Sequence, residues 1–316
     1  MPVLSDFALW IVFAAAAGAI LLFDFFYLAR ARARLTPTQA LGIVAGYTIV
    51  ALLFALLIFG SRRGIGAMEY LTGYLLEQSL SFDNIFMWVL IFKNLSIPEE
   101  RQEAVLFWGI LGAIAFRAAF IFGGAELLYL FSWTLYAFGL LVIISGIRLL
   151  LPGREQNVEN SRIMRFAKAH LPVTKTLRGR CFAIREDGKW QATPLLLALV
   201  VIEFTDILFA LDSIPAIFAV TRDTLIIYTS NTFAVIGLRA LYFAIAGLME
   251  RLRYLRFGLA LLLVLIGTKV FVGNFIEIPI WMTLATTLAI LGGTAALSLI
   301  REPSRARPSK RSRAGR

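Results

Sequence analysis

Seven carboxylates, Asp24, Glu69, Glu77, Asp83, Glu203, Asp206 and Asp212, fall inside long apolar stretches of this 316-residue chain. A charge at the centre of a bilayer costs about 3 kcal/mol on insertion scales, so each of these groups needs a partner or a use. Glu203 and Asp206 are three residues apart and share a helix face, and Asp206 and Ser213, seven apart, align as well. Asp212 precedes Ser213-Ile-Pro215, and Pro215 removes the amide that would bond the Leu211 carbonyl. The helix is therefore expected to break near Asp212 and to release a carbonyl as a hard oxygen ligand. Asn84 and Asn231 offer neutral oxygens. Such a donor set suits magnesium, manganese or calcium. The lone cysteine, Cys181, and the lone histidine, His170, lie outside the apolar stretches, which argues against zinc and copper. Met87, one turn beyond Asp83, is read as packing rather than as a soft ligand.

Three bases share the apolar stretches, Arg117, Arg239 and Lys269, and they are read as structural counter-ions. Pairing alone leaves four of the seven acids without a cation, so a divalent ion or protons are expected to complete the balance.

The elements that position these groups must be membrane helices. The chain is 59% hydrophobic with a mean hydropathy of +0.79. Its apolar runs are about 20 residues long, enough to cross a core roughly 30 Å thick. Nine spans are expected near 8–29, 38–60, 68–92, 104–124, 127–150, 194–219, 225–248, 255–274 and 279–300. Alternate loops then fall on opposite sides, with 25 lysines and arginines on one, 3 on the other (Arg62, Arg63 and Arg222), and 3 inside spans. The positive-inside rule puts the N-terminus outside and the C-terminus in the cytoplasm, in what is expected to be a bacterial inner membrane. The net charge of +11 is therefore an orientation signal, and no nucleic-acid partner is expected. The bilayer is the expected surrounding, and a homo-oligomer is left open.

Six segments follow: two helices in 1–64, a three-helix unit in 65–151, a basic loop in 152–192, a second three-helix unit in 193–275, a last helix in 276–300 and a basic tail in 301–316. In the loop, the run from Cys181 through Asp187-Gly188 reads as a hairpin around a type I′ turn. Thr193-Pro194 reads as the cap and first residue of the sixth span. The two three-helix units match in order: Asp83 with Asp206, Arg117 with Arg239, Phe138-Gly139 with Phe257-Gly258, Gly146 with Gly267 and Arg148 with Lys269. Three spans per unit invert the second copy, the arrangement of many secondary transporters. Asp83 and Asp206, equivalent and near mid-span, are expected to share one site. Asp24 and Glu126, outside the paired motifs, are expected to tolerate substitution better.

Two stretches, Glu69-Tyr-Leu-Thr-Gly-Tyr-Leu-Leu-Glu77-Gln-Ser-Leu-Ser-Phe-Asp83-Asn84 and Ile202-Glu203-Phe-Thr-Asp206-Ile-Leu-Phe-Ala-Leu-Asp212-Ser213-Ile-Pro215, resemble the two signatures of the TerC family of membrane proteins. Thr229-Ser-Asn231 through Gly237-Leu-Arg239 continues the likeness, which covers about residues 65–275. The resemblance implies a polytopic all-α bundle that exports manganese or related divalent cations and is associated with tellurite resistance. It also implies that the acidic residues of both signatures hold the metal. The expected ligand set is Glu69, Glu77, Asp83, Asn84, Glu203, Asp206, Asp212 and Ser213. The ion is cargo rather than a resident cofactor, and no enzymatic nucleophile motif is present. A membrane scaffold without transport, for stress resistance or metal delivery, is the alternative.

Overall fold

The computed structural model describes residues 5–28, 36–62, 64–150, 162–174, 179, 181–186, 189–245, 254–273, 275–276 and 278–300. Ser5 caps α1 (Asp6–Phe23) by accepting from the Ala8 amide at 3.3 Å, and the helix widens into a π-helical turn over Asp24–Leu28. Thr36 and Gln39 close a reciprocal cap on α2 (Pro37–Arg62): the Gln39 amide donates to Thr36 Oγ1 at 3.3 Å and the Thr36 amide to Gln39 Oε1 at 3.0 Å. Gly64, at φ 83°, turns the chain into α3 (Ile65–Asn94). Then come α4 (Glu99–Leu130), with two acids in its first turn where the helix dipole favours them, and α5 (Thr134–Leu150). After the short α6 (Arg162–His170) and the strands β1 (Ala183–Glu186) and β2 (Lys189–Ala192), the chain continues as α7 (Pro194–Phe218), α8 (Thr224–Ile245), α9 (Leu255–Val272) and α10 (Ile280–Ile300).

The protein is an all-α polytopic bundle. Every expected span has a helix at its position. Among the described residues seven of these nine, α1 to α4, α7, α8 and α10, are long and apolar enough to cross a membrane, while α5, at 17 residues, is shorter and α9, at 18, is not one of the seven. Helix α8 is the central post, buried on nearly every face and packed by α1, α2, α3 and α4. Helix α7 lies against α3, α4 and α5, and α10 covers α3 and α9. Large apolar side chains such as Phe7, Leu56, Tyr129 and Leu140 stand exposed around the outside, as lipid-facing surfaces require.

Helices α5 and α9 cross closely through glycine. A Cβ on Gly146 would stand 2.8 Å from the Ala260 carbonyl, and one on Gly267 would stand 2.7 Å from the Gly139 carbonyl. Small residues let helix backbones approach in this way. Shifting Gly139 and Gly146 by 121 residues gives Ala260 and Gly267, so the two contacts exchange under that one shift, and they pair the helices antiparallel.

Several expectations meet a different structure or a limit. Helix α7 runs unbroken through Pro215 to Phe218, so the expected break near Asp212 is absent. Pro215 sits in the last turn: it still removes the bond to the Leu211 carbonyl, but the backbone keeps helical geometry on both sides of it. The loop contains α6, a helix that hydropathy does not signal: Met164 and Ala167, three apart, are buried while Phe166 faces outward. A hydropathy window of about 19 residues passes over so short an amphipathic segment. The hairpin is present, with Ala183 opposite Ala192 and Glu186 opposite Lys189, but its turn at Asp187-Gly188 lies outside the described residues, as does the tail 301–316. Thr193 occupies the cap position of α7, yet its hydroxyl donates to the Cys181 carbonyl at 2.8 Å, tying the hairpin to the helix start.

Candidate cation site

Four helices converge on one buried guanidinium. Helix α3 presents Glu77 and Asn84, seven residues apart on one face, α4 presents Arg117, α7 Asp206 and α8 Asn231. All five are at least 95% buried. Arg117 Nη1 donates to Glu77 Oε1 and, at 2.9 Å, to Asn231 Oδ1, while its Nη2 donates to Asp206 Oδ1 at 3.2 Å. Asn231 Nδ2 donates to Glu77 Oε2 at 2.9 Å and Asn84 Nδ2 donates to Asp206 Oδ1 at 3.1 Å. Counted as ionised, Glu77 and Asp206 carry two negative charges against one positive, so the cluster holds a net negative charge inside the bundle.

Several polar atoms of the cluster have no hydrogen-bond partner among the described residues: Asn84 Oδ1, Asp206 Oδ2 and Arg117 Nε. Beside them is a cavity of about 30 Å³ lined by Glu77, Asp83, Asn84, Arg117, Ser145 and Ser213, with Leu149 and Leu263 on its apolar wall. That is room for one small cation or water.

The structure thus brings Glu77, Asp83, Asn84, Asp206 and Ser213 around one point. Asp83 is half-buried and lines the cavity, whereas the direct partners of Asp206 are Asn84 and Arg117. Glu203, one turn before Asp206, packs its carboxylate into the notch at Gly112 of α4, where any Cβ would overlap it, and its buried Oε2 has no partner among the described residues. Glu69 stands apart, eight residues and about 12 Å before Glu77 along α3. It accepts from the Thr221 hydroxyl at 2.8 Å and lies within electrostatic reach of Lys269, which donates to Thr283 at 2.8 Å. The side chain of Asp212 is outside the described residues. No group of three or more His, Cys, Asp or Glu side chains gathers among the described residues; an arginine stands between the two central carboxylates.

Arg239, expected as a counter-ion, is 1% exposed, donates to the Asp24 backbone carbonyl at 3.5 Å and lies 5.9 Å from the centre of the Phe107 ring. Asp24 is itself 2% exposed and accepts from the Tyr47 hydroxyl. The expectation that Asp24 tolerates substitution does not suit this setting. Tyr47 is a site residue that the sequence does not disclose: nothing in the pattern of one tyrosine in an apolar helix distinguishes a carboxylate partner from an interface anchor.

The sequence pattern of the TerC family of integral membrane proteins matches residues 63–306. An uncharacterized membrane protein of Myxococcus xanthus is 43% identical over 304 residues, covering 95% of this chain and 94% of its own. The "putative membrane-bound redox modulator Alx" of Photorhabdus laumondii is 42% identical over 259 residues, 79% of this chain and 81% of its own. The protein of the same description in Escherichia coli K12 is 43% identical over 226 residues, 71% and 70%. No solved structure matches the chain. The chain belongs to the TerC family of integral membrane proteins.

Proposed function

We propose that this protein carries divalent cations, manganese foremost, across the bacterial inner membrane through the cluster of Glu77, Arg117 and Asp206. The observation that carries the reading is the surplus of buried oxygen acceptors over cations at that point. Arg117 acts as a tethered cation: it holds the two carboxylates together while no ion is bound. A divalent ion that displaces it takes the pair of carboxylates from a net charge of minus one to zero. Asn84, Asn231, Ser213 and Asp83 then supply further oxygens, a hard donor set that suits manganese, magnesium or calcium. Manganese and the outward direction follow from the family likeness. The self-exchanging contact between α5 and α9 supports reading 65–151 and 193–275 as inverted copies that rock about the site. The relatives' description as redox modulators does not lead here to dithiol exchange, since the chain has one cysteine, Cys181, and that one is exposed.

Liposomes holding purified protein and a manganese-sensitive dye test the proposal. Wild-type protein is expected to admit manganese, and Asp206→Asn to lose that flux. Absence of wild-type flux, together with unchanged cellular manganese in a deletion strain, would favour the scaffold instead. Orientation has its own check: reporters fused after residue 316 and inside the 152–190 loop are both expected to read cytoplasmic. Opposite readings would overturn the nine-span arrangement.

A further inference from the structure

A second buried polar centre lies outside the cation site. Asp24 heads the π-helical turn at the end of α1, and such turns recur at functional sites because they re-aim one side chain. Its carboxylate points into the bundle, is 2% exposed and accepts from the Tyr47 hydroxyl of α2. It makes no ion pair among the described residues. The charged groups facing this point from the neighbouring helices are Arg239 of α8, bonded to the Asp24 backbone rather than to its carboxylate, and Glu103 of α4, within electrostatic reach of Arg239 and with contacts of its own. Arg239 Nε has no partner among the described residues.

We propose that Asp24, held by Tyr47 beside Arg239, is a proton-binding site that couples proton movement to cation transport; the coupling rests on the transport reading above. The donor set selects the proton. A single carboxylate bonded to a phenol offers a divalent ion too few oxygens, whereas it takes up one proton from water as a neutral acid and returns it to water, with no other bond changed. The site is wired to the cation cluster by shared helices. Helix α8 carries both Asn231 and Arg239, and α4 carries both Arg117 and Phe107, the ring beneath the Arg239 guanidinium. These pairs are eight and ten residues apart, about 12 and 15 Å along the axis. A movement of Arg117 and Asn231 on cation binding therefore reaches the Arg239 side of Asp24 through two rigid elements. Helices α1 and α2, which bring Asp24 and Tyr47, precede the residues 63–306 that match the family pattern, whereas Arg239 lies within them.

The test uses full-length protein in liposomes with the membrane voltage clamped at zero. For wild-type protein exchanging one proton, the final manganese concentration ratio is expected to change about tenfold per pH unit of imposed gradient. Asp24→Asn is expected to bind manganese as before and to respond to no gradient. A variant that keeps the wild-type gradient response overturns the proposal, while a wild-type protein that moves no manganese overturns the transport reading instead. A second measurement needs no flux: the acid-minus-alkaline infrared difference spectrum should contain a protonated carboxyl band that Asp24→Asn removes and Tyr47→Phe shifts along the pH axis. If Asp24→Asn fails to assemble, the Tyr47→Phe shift decides. A band unmoved by the variants overturns the site whether or not manganese is carried.

Discussion

Replacing Arg117 with methionine is expected to be among the most damaging single changes in the chain. The guanidinium is 1% exposed and spans Glu77 and Asp206, so its loss leaves two carboxylates facing each other away from water. Breaking a buried pair by removing one partner costs about 3–5 kcal/mol, against a total stability of about 5–15 kcal/mol for an ordinary domain. If Arg117 is a tethered stand-in for a divalent ion, manganese should repair the damage. At a hundredfold excess over its dissociation constant a ligand adds about 2.7 kcal/mol to stability. The melting temperature of Arg117→Met is therefore expected to fall sharply without metal and to rise with manganese by more than the wild-type value does. Arg117→Lys keeps the charge but loses the two-pronged geometry, and is expected to fall between them. A variant that manganese stabilises no better than wild type would show Arg117 to be scaffolding alone.

Glu77→Gln and Asp206→Asn are each expected to abolish manganese flux while leaving the bundle assembled. Either change leaves Arg117 one remaining carboxylate, so the cluster becomes neutral and no longer attracts a cation. At an effective dielectric of about 20, one charge at about 4 Å contributes roughly 4 kcal/mol, and about 1.4 kcal/mol is tenfold in affinity. A loss of manganese affinity on the order of a thousandfold follows for each single variant. The double variant is expected to be no worse in flux than either, because each single change already abolishes it and groups that act as one unit do not add. Titration of manganese into purified protein reads the affinities. A single variant that keeps the wild-type affinity would take its carboxylate out of the site.

Much of this arrangement is legible in the chain itself. Charges inside apolar runs announce themselves by their cost, which is why Glu77, Asp206 and Arg117 stand out from hydropathy alone. The helices follow from run length, whereas the close α5–α9 crossing at Gly146 and Gly267, matched in the sequence only as repeat equivalents, is seen in the structure. What the sequence does not disclose is which carboxylates meet. Asp83 and Asp206 are repeat equivalents, yet the arginine joins Asp206 to Glu77, because the rotation of α3 about its axis, set by packing against α8, turns Glu77 and Asn84 toward Asp206 and Arg117. Pro215 misleads because a proline removes one hydrogen bond from the preceding turn without having to end the helix, and here the helix continues three residues beyond it. Asp24 and Tyr47 are paired across 23 residues by the fold of α1 against α2, a relation with no periodic trace.

The account stands most directly on where a bound ion sits. Crystals grown with manganese and measured at its absorption edge are expected to show one anomalous peak between the Glu77 and Asp206 carboxylates, with the Arg117 guanidinium withdrawn from at least one of them. A manganese peak elsewhere, with Arg117 still bridging Glu77 and Asp206, would contradict it.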